Sequence, residues 1–246
     1  MKDVIQLGEL RLSVIRKDIK NIHLSVHPPD GRVSVAAPEH LSLDTIRIFT
    51  LNKLAWIRSQ QKKFQSQPRE APREYLERES HYLWGKRLLL KIVEKEAPPQ
   101  VTLSTRHLTL QIRPGSSTEK REQILSAWYR EQLRQAVPAL ISHWETRLGV
   151  KVNRFFLQHM KTKWGSCNYR EGNIRLNTEL VKKPAECLRY LILHEMAHLL
   201  EPNHGERFIA ILDRHYPTWR EVRASLQQLP LSAESWQEMG SSKHDI

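Results

Sequence analysis

Cysteine is nearly missing from this chain: only Cys167 and Cys187 occur among 246 residues. Two cysteines build no disulfide framework, and neither stands in a paired metal-ligand spacing. Such usage is natural to a reducing compartment, so a cytoplasmic location is expected. No apolar run reaches the length of a membrane span, and the opening Met1-Lys2-Asp3-Val4-Ile5-Gln6 is too polar for a secretory signal. No membrane partner is therefore expected. A glycine-rich phosphate loop of the Walker type is absent, and no internal repeat or low-complexity tract is visible. Negative charge is also scarce. Lys and Arg total 39 against 27 Asp and Glu, a formal net charge of +12. That balance favours an anionic partner, a nucleotide, a nucleic acid or an acidic protein. The cations are spread from Arg16 and Lys17 to Lys182 and Lys183, as they also are on a merely solvated surface.

What is present is His194-Glu195-Met196-Ala197-His198, followed six residues later by His204. On a helix, positions i and i+4 share a face, so both imidazoles can reach one metal ion. Glu195 then stands where it can hold a water at that ion. Three neutral nitrogens and an open fourth position describe a catalytic zinc site, one ion per chain, rather than a structural one. The motif follows Leu188-Arg189-Tyr190-Leu191-Ile192-Leu193, a mostly apolar helix. Burying two histidines and a glutamate there is costly without a metal or hydrogen-bond partners. Pro202 stops the motif helix at about Leu200 or Glu201. Asn203 with Glu206 reads as a capping box, which places His204 on the first turn of a second helix.

The spacing matches the metzincin pattern, but Glu201 occupies its glycine position and no methionine follows until Met239. Glu201 is either a partner that orients a ligand histidine or a solvated helix end. Three further segments complete the picture: Met160-Lys161-Thr162-Lys163-Trp164-Gly165-Ser166-Cys167, Ile174-Arg175-Leu176-Asn177, and Asn203-His204 with Phe208 and Pro217. Together with Pro29-Asp30-Gly31-Arg32-Val33-Ser34-Val35, Ala55-Trp56-Ile57 and Leu83-Trp84-Gly85-Lys86-Arg87, they resemble the YgjP-like metallopeptidase family. That family is related to the SprT-like and WLM zinc peptidases. The resemblance implies zinc at His194, His198 and His204, with Glu195 as general base.

The expected fold is α+β. A strand-rich N-terminal region (1–115) with one helix precedes a zincin-like helical domain (116–230) that holds a small sheet and the active-site helix. A polar tail (231–246) follows. Strands are expected at Val4–Leu7, Leu10–Ile15, Ile22–Val26 and Val33–Ala36, with a turn at Pro28-Pro29-Asp30-Gly31. A helix capped by Ser42 runs from Leu43 to Gln65. A charged, proline-broken connection spans 66–76. Strands at 88–94, 100–104 and 107–113 lead to a long helix capped by Ser116 with Glu119. Its apolar face comprises Ile124, Trp128, Val137, Leu140, Ile141 and Trp144.

The Ile174–Asn177 strand is a candidate edge for pairing with an extended substrate main chain, and equally an internal strand. Trp164, Ile174, Arg175 and Asn177 are the candidate substrate contacts; Trp164 also fits a core position. Lys161 and Lys163 either attract acidic groups or stay solvated. His159, Tyr190 and His215 are open candidates for a second oxyanion donor. The expected chemistry is hydrolysis of a protein or peptide, with Glu195 moving the proton. Two other readings compete. One is a metal-dependent phosphohydrolase acting on nucleoside triphosphates, for which no carboxylate-rich magnesium site is evident. The other is a protease localised by a nucleic-acid-binding N-terminal part.

Overall fold

The computed structural model describes residues 2–27, 31–66, 73–160 and 163–229. They fall into two compact units, residues 2–66 and residues 73–229. The strand-rich stretch expected up to residue 115 thus supplies a sheet to each. The Pro28-Pro29-Asp30 turn, residues 67–72 of the expected connection, Lys161 and the C-terminal tail lie outside the described residues. The fold is mixed α+β, with six α-helices and three small sheets among the described residues.

In the first unit, β1 (Lys2–Leu7), β2 (Leu10–Lys17), β3 (His23–His27) and β4 (Arg32–Pro38) form a sheet in the order β1-β2-β4-β3. Gly8, at φ +59°, turns the first hairpin, a conformation that costs glycine little. Strand alternation sends Leu12, Val14, Val33 and Val35 to one face, where they are buried with Ile46 and Ile57 of the helices α1 (Leu43–Asn52) and α2 (Leu54–Ser66). Each such burial is worth roughly 1.5–3 kcal/mol. Ser42 caps α1 by accepting from the Thr45 N–H. The single helix expected from Leu43 to Gln65 is broken at Lys53, whose N–H closes back on the Thr50 carbonyl. One turn earlier the Thr50 hydroxyl bonds the Ile46 carbonyl, a back-bond that bends helices.

The second unit begins with β5 (Ser80–Leu83), β6 (Lys86–Glu94), β7 (Gln100–Leu103) and β8 (His107–Ile112), followed by α3 (Thr118–Leu148). Its sheet order, β5-β6-β8-β7, repeats that of the first unit. So does the pairing sense: antiparallel, parallel, antiparallel. The chain therefore does carry an internal repeat, of topology rather than of residues. The N-cap of α3 is Ser117, which accepts from the Lys120 N–H, and not Ser116, whose hydroxyl is taken by the Arg113 carbonyl. The buried face is correspondingly Leu125, Tyr129, Leu133, Val137, Ile141 and Trp144; Ile124, Trp128 and Leu140 sit only partly buried beside it.

After α3 come β9 (Arg154–Gln158), β10 (Gly165–Asn168) and β11 (Asn173–Asn177), a short 3-10 turn (Thr178–Lys182), and the helices α4 (Ala185–Ala197), α5 (Glu206–His215) and α6 (Trp219–Gln228). The three strands are ordered β10-β11-β9. This decides between the two readings of Ile174–Asn177 in favour of the internal strand. That strand is central, with β10 antiparallel on one side and β9 parallel on the other, so its main chain is already paired. The edge beside the motif helix is β10. Among the described residues no helix is long and apolar enough to cross a membrane.

Candidate metal centre

Helix α4 is a core helix. Leu188, Leu191, Ile192, Leu193, Met196 and Ala197 are all buried, so the chain has no freedom to rotate its last turn. His194 and Glu195 lie in that turn, and His198 is the C-cap residue, still at helical angles (φ −67°, ψ −15°). The i, i+4 geometry of the motif is thus kept although the helix ends three residues before the expected stop. The Leu199, Leu200 and Glu201 N–H groups close the end by bonding the Met196 and Ala197 carbonyls. The expected capping box is not formed. Gly205 is the N-cap of α5, without a side-chain bond, so His204 stands in the corner before the helix rather than on its first turn.

That corner brings the three imidazoles together. Their ring nitrogens lie within 4.8 Å of one another, and Nε2 of His204 is 3.2 Å from Nε2 of His194. Two nitrogens held at zinc-bonding distance on a tetrahedral ion stand about 3.3 Å apart. Two of the remaining nitrogens are engaged from behind. His198 Nδ1 faces the Glu201 carbonyl at 3.1 Å, and His194 Nδ1 faces the Tyr190 hydroxyl at 3.4 Å. Such partners fix which nitrogen is presented to a metal. Burial, then the neighbouring His198 and His204, then Arg223, push His194 down to about 3, so it stays a neutral donor. The donor set therefore fits a zinc ion: three imidazoles converge, two with their second nitrogen oriented. Glu201 contributes through its backbone; its carboxylate stands 3.6 Å from Arg207.

Glu195 is 4% exposed. Burial pushes its carboxyl up to about 8, while the Lys163 ammonium pulls it the other way. Its carboxylate lies directly over Gly165 of β10; a Cβ there would stand 2.5 Å from Oε1. Glycine at 165 is what lets the acid and the edge strand share this space.

The candidate substrate contacts divide. Trp164 is half-buried, with the Lys183 ammonium 5.7 Å from its ring. Arg175 is half-buried and lies over the Phe156 ring at 5.6 Å. Ile174 and Asn177 are fully buried, which corrects their expected role. Ile174 belongs to the core. Asn177 donates to the Met160 and Lys163 carbonyls and accepts from the Glu179 N–H, clamping the two ends of the loop before β10. Of the oxyanion candidates, Tyr190 is turned to His194, and His215 is held below its ordinary value by burial, Arg214 and Arg147.

Two supports were not read from the sequence. Phe208 packs beneath all three imidazoles, at ring distances of 5.0, 4.6 and 4.7 Å. Trp219 stacks on Tyr190 at 6.4 Å and donates to Asp213, so a chain of contacts runs from α5 through α6 to His194. Helical spacing signals Tyr190, four residues before His194; nothing local signals Trp219.

No curated protein matches the chain. Solved structures similar over part of it include two metallopeptidase zymogens. The metallopeptidase zymogen abylysin of Pyrococcus abyssi is 21% identical over 37% of this chain and 90% of its own, with a TM-score of 0.35. The zymogen jannalysin of Methanocaldococcus jannaschii is 25% identical over 37% and 94%, with a TM-score of 0.34. The model of the YgjP-like metallopeptidase domain matches residues 20–229, and the chain belongs to that family.

Proposed function

We propose that this chain is a zinc-dependent peptidase of zincin-like architecture whose general base is Glu195. The observation that carries the reading is the position of the Glu195 carboxylate, against an edge strand and one residue from a converging set of three imidazoles. When bound there, zinc supplies Lewis-acid chemistry that acidifies a water, polarises a carbonyl and favours the ionised form of Glu195. His194, His198 and His204 would hold it, while Tyr190 and the Glu201 carbonyl keep the rings of His194 and His198 in place. β10 pairs with β11 on one side only among the described residues, and its other edge offers main-chain partners to an extended peptide. Such pairing orients the scissile bond with little demand on side chains. Glu195 takes a proton from the attacking water as the carbon–oxygen bond forms. It delivers that proton to the amide nitrogen as the carbon–nitrogen bond breaks. Lys163 favours the carboxylate over the acid and so the base over its spent form.

The substrate is a protein or peptide, and the two free cysteines fit a reducing, cytoplasmic setting. The test is product analysis by mass spectrometry. Zinc-loaded protein is incubated with a mixture of unfolded proteins and nucleoside triphosphates, beside Glu195→Gln at equal zinc content. New peptides are expected with the parent, and a loss of several orders of magnitude in the variant. Release of phosphate or pyrophosphate in place of peptides would overturn the peptide bond as the target. Undiminished turnover in a zinc-replete Glu195→Gln would remove Glu195 as the base.

A further inference from the structure

Lys163 stands beside the candidate site with no ion-pair partner among the described residues. Its main chain is pinned. The buried Asn177 side chain donates to the Lys163 carbonyl at 2.8 Å, and the Asn177 N–H bonds the Trp164 carbonyl at 2.8 Å. The second bond carries the β10–β11 pairing back past Gly165. On extended chain every second side chain shares a face, so Lys163, Gly165 and Cys167 look the same way. That way is toward Glu195. The Glu195 carboxylate lies over Gly165, the Lys163 ammonium acts on it, and its own charge reaches Cys167. Lys163 is nonetheless exposed, and it stands farther from Glu195 than an ion pair allows, about 4 Å. Two other cations of this unit are neutralised in place: Lys182 holds Glu179 at 2.8 Å, and Arg207 stands 3.6 Å from Glu201.

We propose that Lys163 is a specificity-determining residue that takes the carboxylate of an acidic substrate side chain, two residues along from the substrate residue level with Gly165. The inference rests on the peptidase reading, in which an extended peptide pairs with the edge of β10. In that pairing the residue level with Gly165 lies nearest Glu195. The residue level with Lys163 is two along, on the same face and about 7 Å away. Side chains directly opposed on paired strands touch, and opposite charges there attract while like charges repel. An Asp or Glu at this position supplies the counter-charge that Lys163 lacks, and a Lys or Arg is disfavoured. An ammonium is a point charge on a flexible stem, so it reads the sign of the side chain rather than its shape. A free C-terminal carboxylate carries the same chemistry, but strand pairing brings a side chain rather than a chain end opposite Lys163. The net charge of +12 draws the same acidic class of substrate to the protein.

The experiment uses the zinc-loaded full chain and neutral synthetic peptides, acetylated and amidated at their ends, with a single Glu, Gln or Lys at mid-length. Mass spectrometry locates the cut, expected two residues from the Glu, and kinetics give kcat/KM. The Glu peptide is expected to exceed the Gln peptide about fivefold or more, by a ratio that shrinks with added salt. Lys163→Gln should abolish the preference, Lys163→Arg should keep it, and Lys163→Glu should turn it toward the Lys peptide. The ratio isolates recognition from the influence of Lys163 on Glu195, which changes turnover of all three peptides alike. Lys95→Gln removes an exposed cation elsewhere in the unit and should leave the ratio unchanged. Fluorescence anisotropy of labelled peptides on zinc-loaded Glu195→Gln should give the same order of affinities. If that order holds but the parent cuts no peptide, the peptidase reading fails and recognition by Lys163 stands. Equal kcat/KM and equal affinity for the Glu and Gln peptides would overturn the proposal. So would a preference that survives Lys163→Gln, or one seen only with a free C-terminal carboxylate, which would make the chain end the ligand.

Discussion

The two four-stranded sheets share strand order, pairing sense and a serine-capped helix, yet they are put to different use. In the second unit, α3 carries a buried stripe from Leu125 to Trp144, and the Trp144 indole donates to the Arg189 carbonyl of α4. The sheet and α3 thereby form a base for the helix that holds His194 and Glu195. In the first unit, α1 and α2 bury Ile46, Thr50 and Ile57, while Leu43, Ile48, Leu51 and Trp56 stay exposed. Among the described residues, what differs is how much apolar surface the helix layer keeps exposed.

Four substitutions sharpen or break this contrast. The largest effect is expected of Phe208→Ala. Removing the ring beneath the three imidazoles should cost about 3–5 kcal/mol. Denaturation followed by region-resolved hydrogen exchange should place that loss within residues 73–229. A matching loss of protection in residues 2–66 would show that the two units unfold as one body, and the contrast would fail. Gly165→Ala comes next. The added Cβ meets the Glu195 carboxylate, and an ångström of misplacement at a reacting group costs on the order of 100-fold in rate. Steady-state kinetics should show this in kcat, with zinc content unchanged; parental kcat would mean that Glu195 has room to move without consequence. The smallest effects are those of the two caps. Ser42→Ala and Ser117→Ala should each cost about 1 kcal/mol. Exchange should report the first only in residues 2–66 and the second only in 73–229.

The contrast also shows what a sequence can and cannot reveal here. His194, Glu195 and His198 were legible because their geometry is fixed by one helix with period 3.6. The strands of both sheets were legible, apart from the four-residue β5, because side-chain alternation is local. The cap of α3 was misplaced by one residue because Ser116 and Ser117 are both sound N-caps, and only the Arg113 carbonyl decides between them. His204 was placed on a helix that starts two residues later, since Asn203 and Gly205 compete for the same cap. The central position of Ile174–Asn177 and the repeated sheet order were hidden for a common reason. Each rests on a parallel pair, β9 with β11, β2 with β4 or β6 with β8, and such pairs join segments that are not consecutive in the chain. The role of Asn177 followed from that misplacement, because a residue read as lining an edge turned out to clamp a loop.

An unpaired strand edge has a second consequence, for colloidal behaviour. Main-chain groups that can accept a peptide can equally accept another copy of the chain, the usual origin of edge-to-edge aggregation. Two features of the small sheet oppose this. At one end β10 is only four residues long, about 13 Å of exposed ladder. At the other, Phe156 on β9 is 40% exposed, and the Arg175 guanidinium lies over its ring. Arg175 thus acts as a gatekeeper: it puts a positive charge over the one large apolar side chain that the β9 edge shows to solvent.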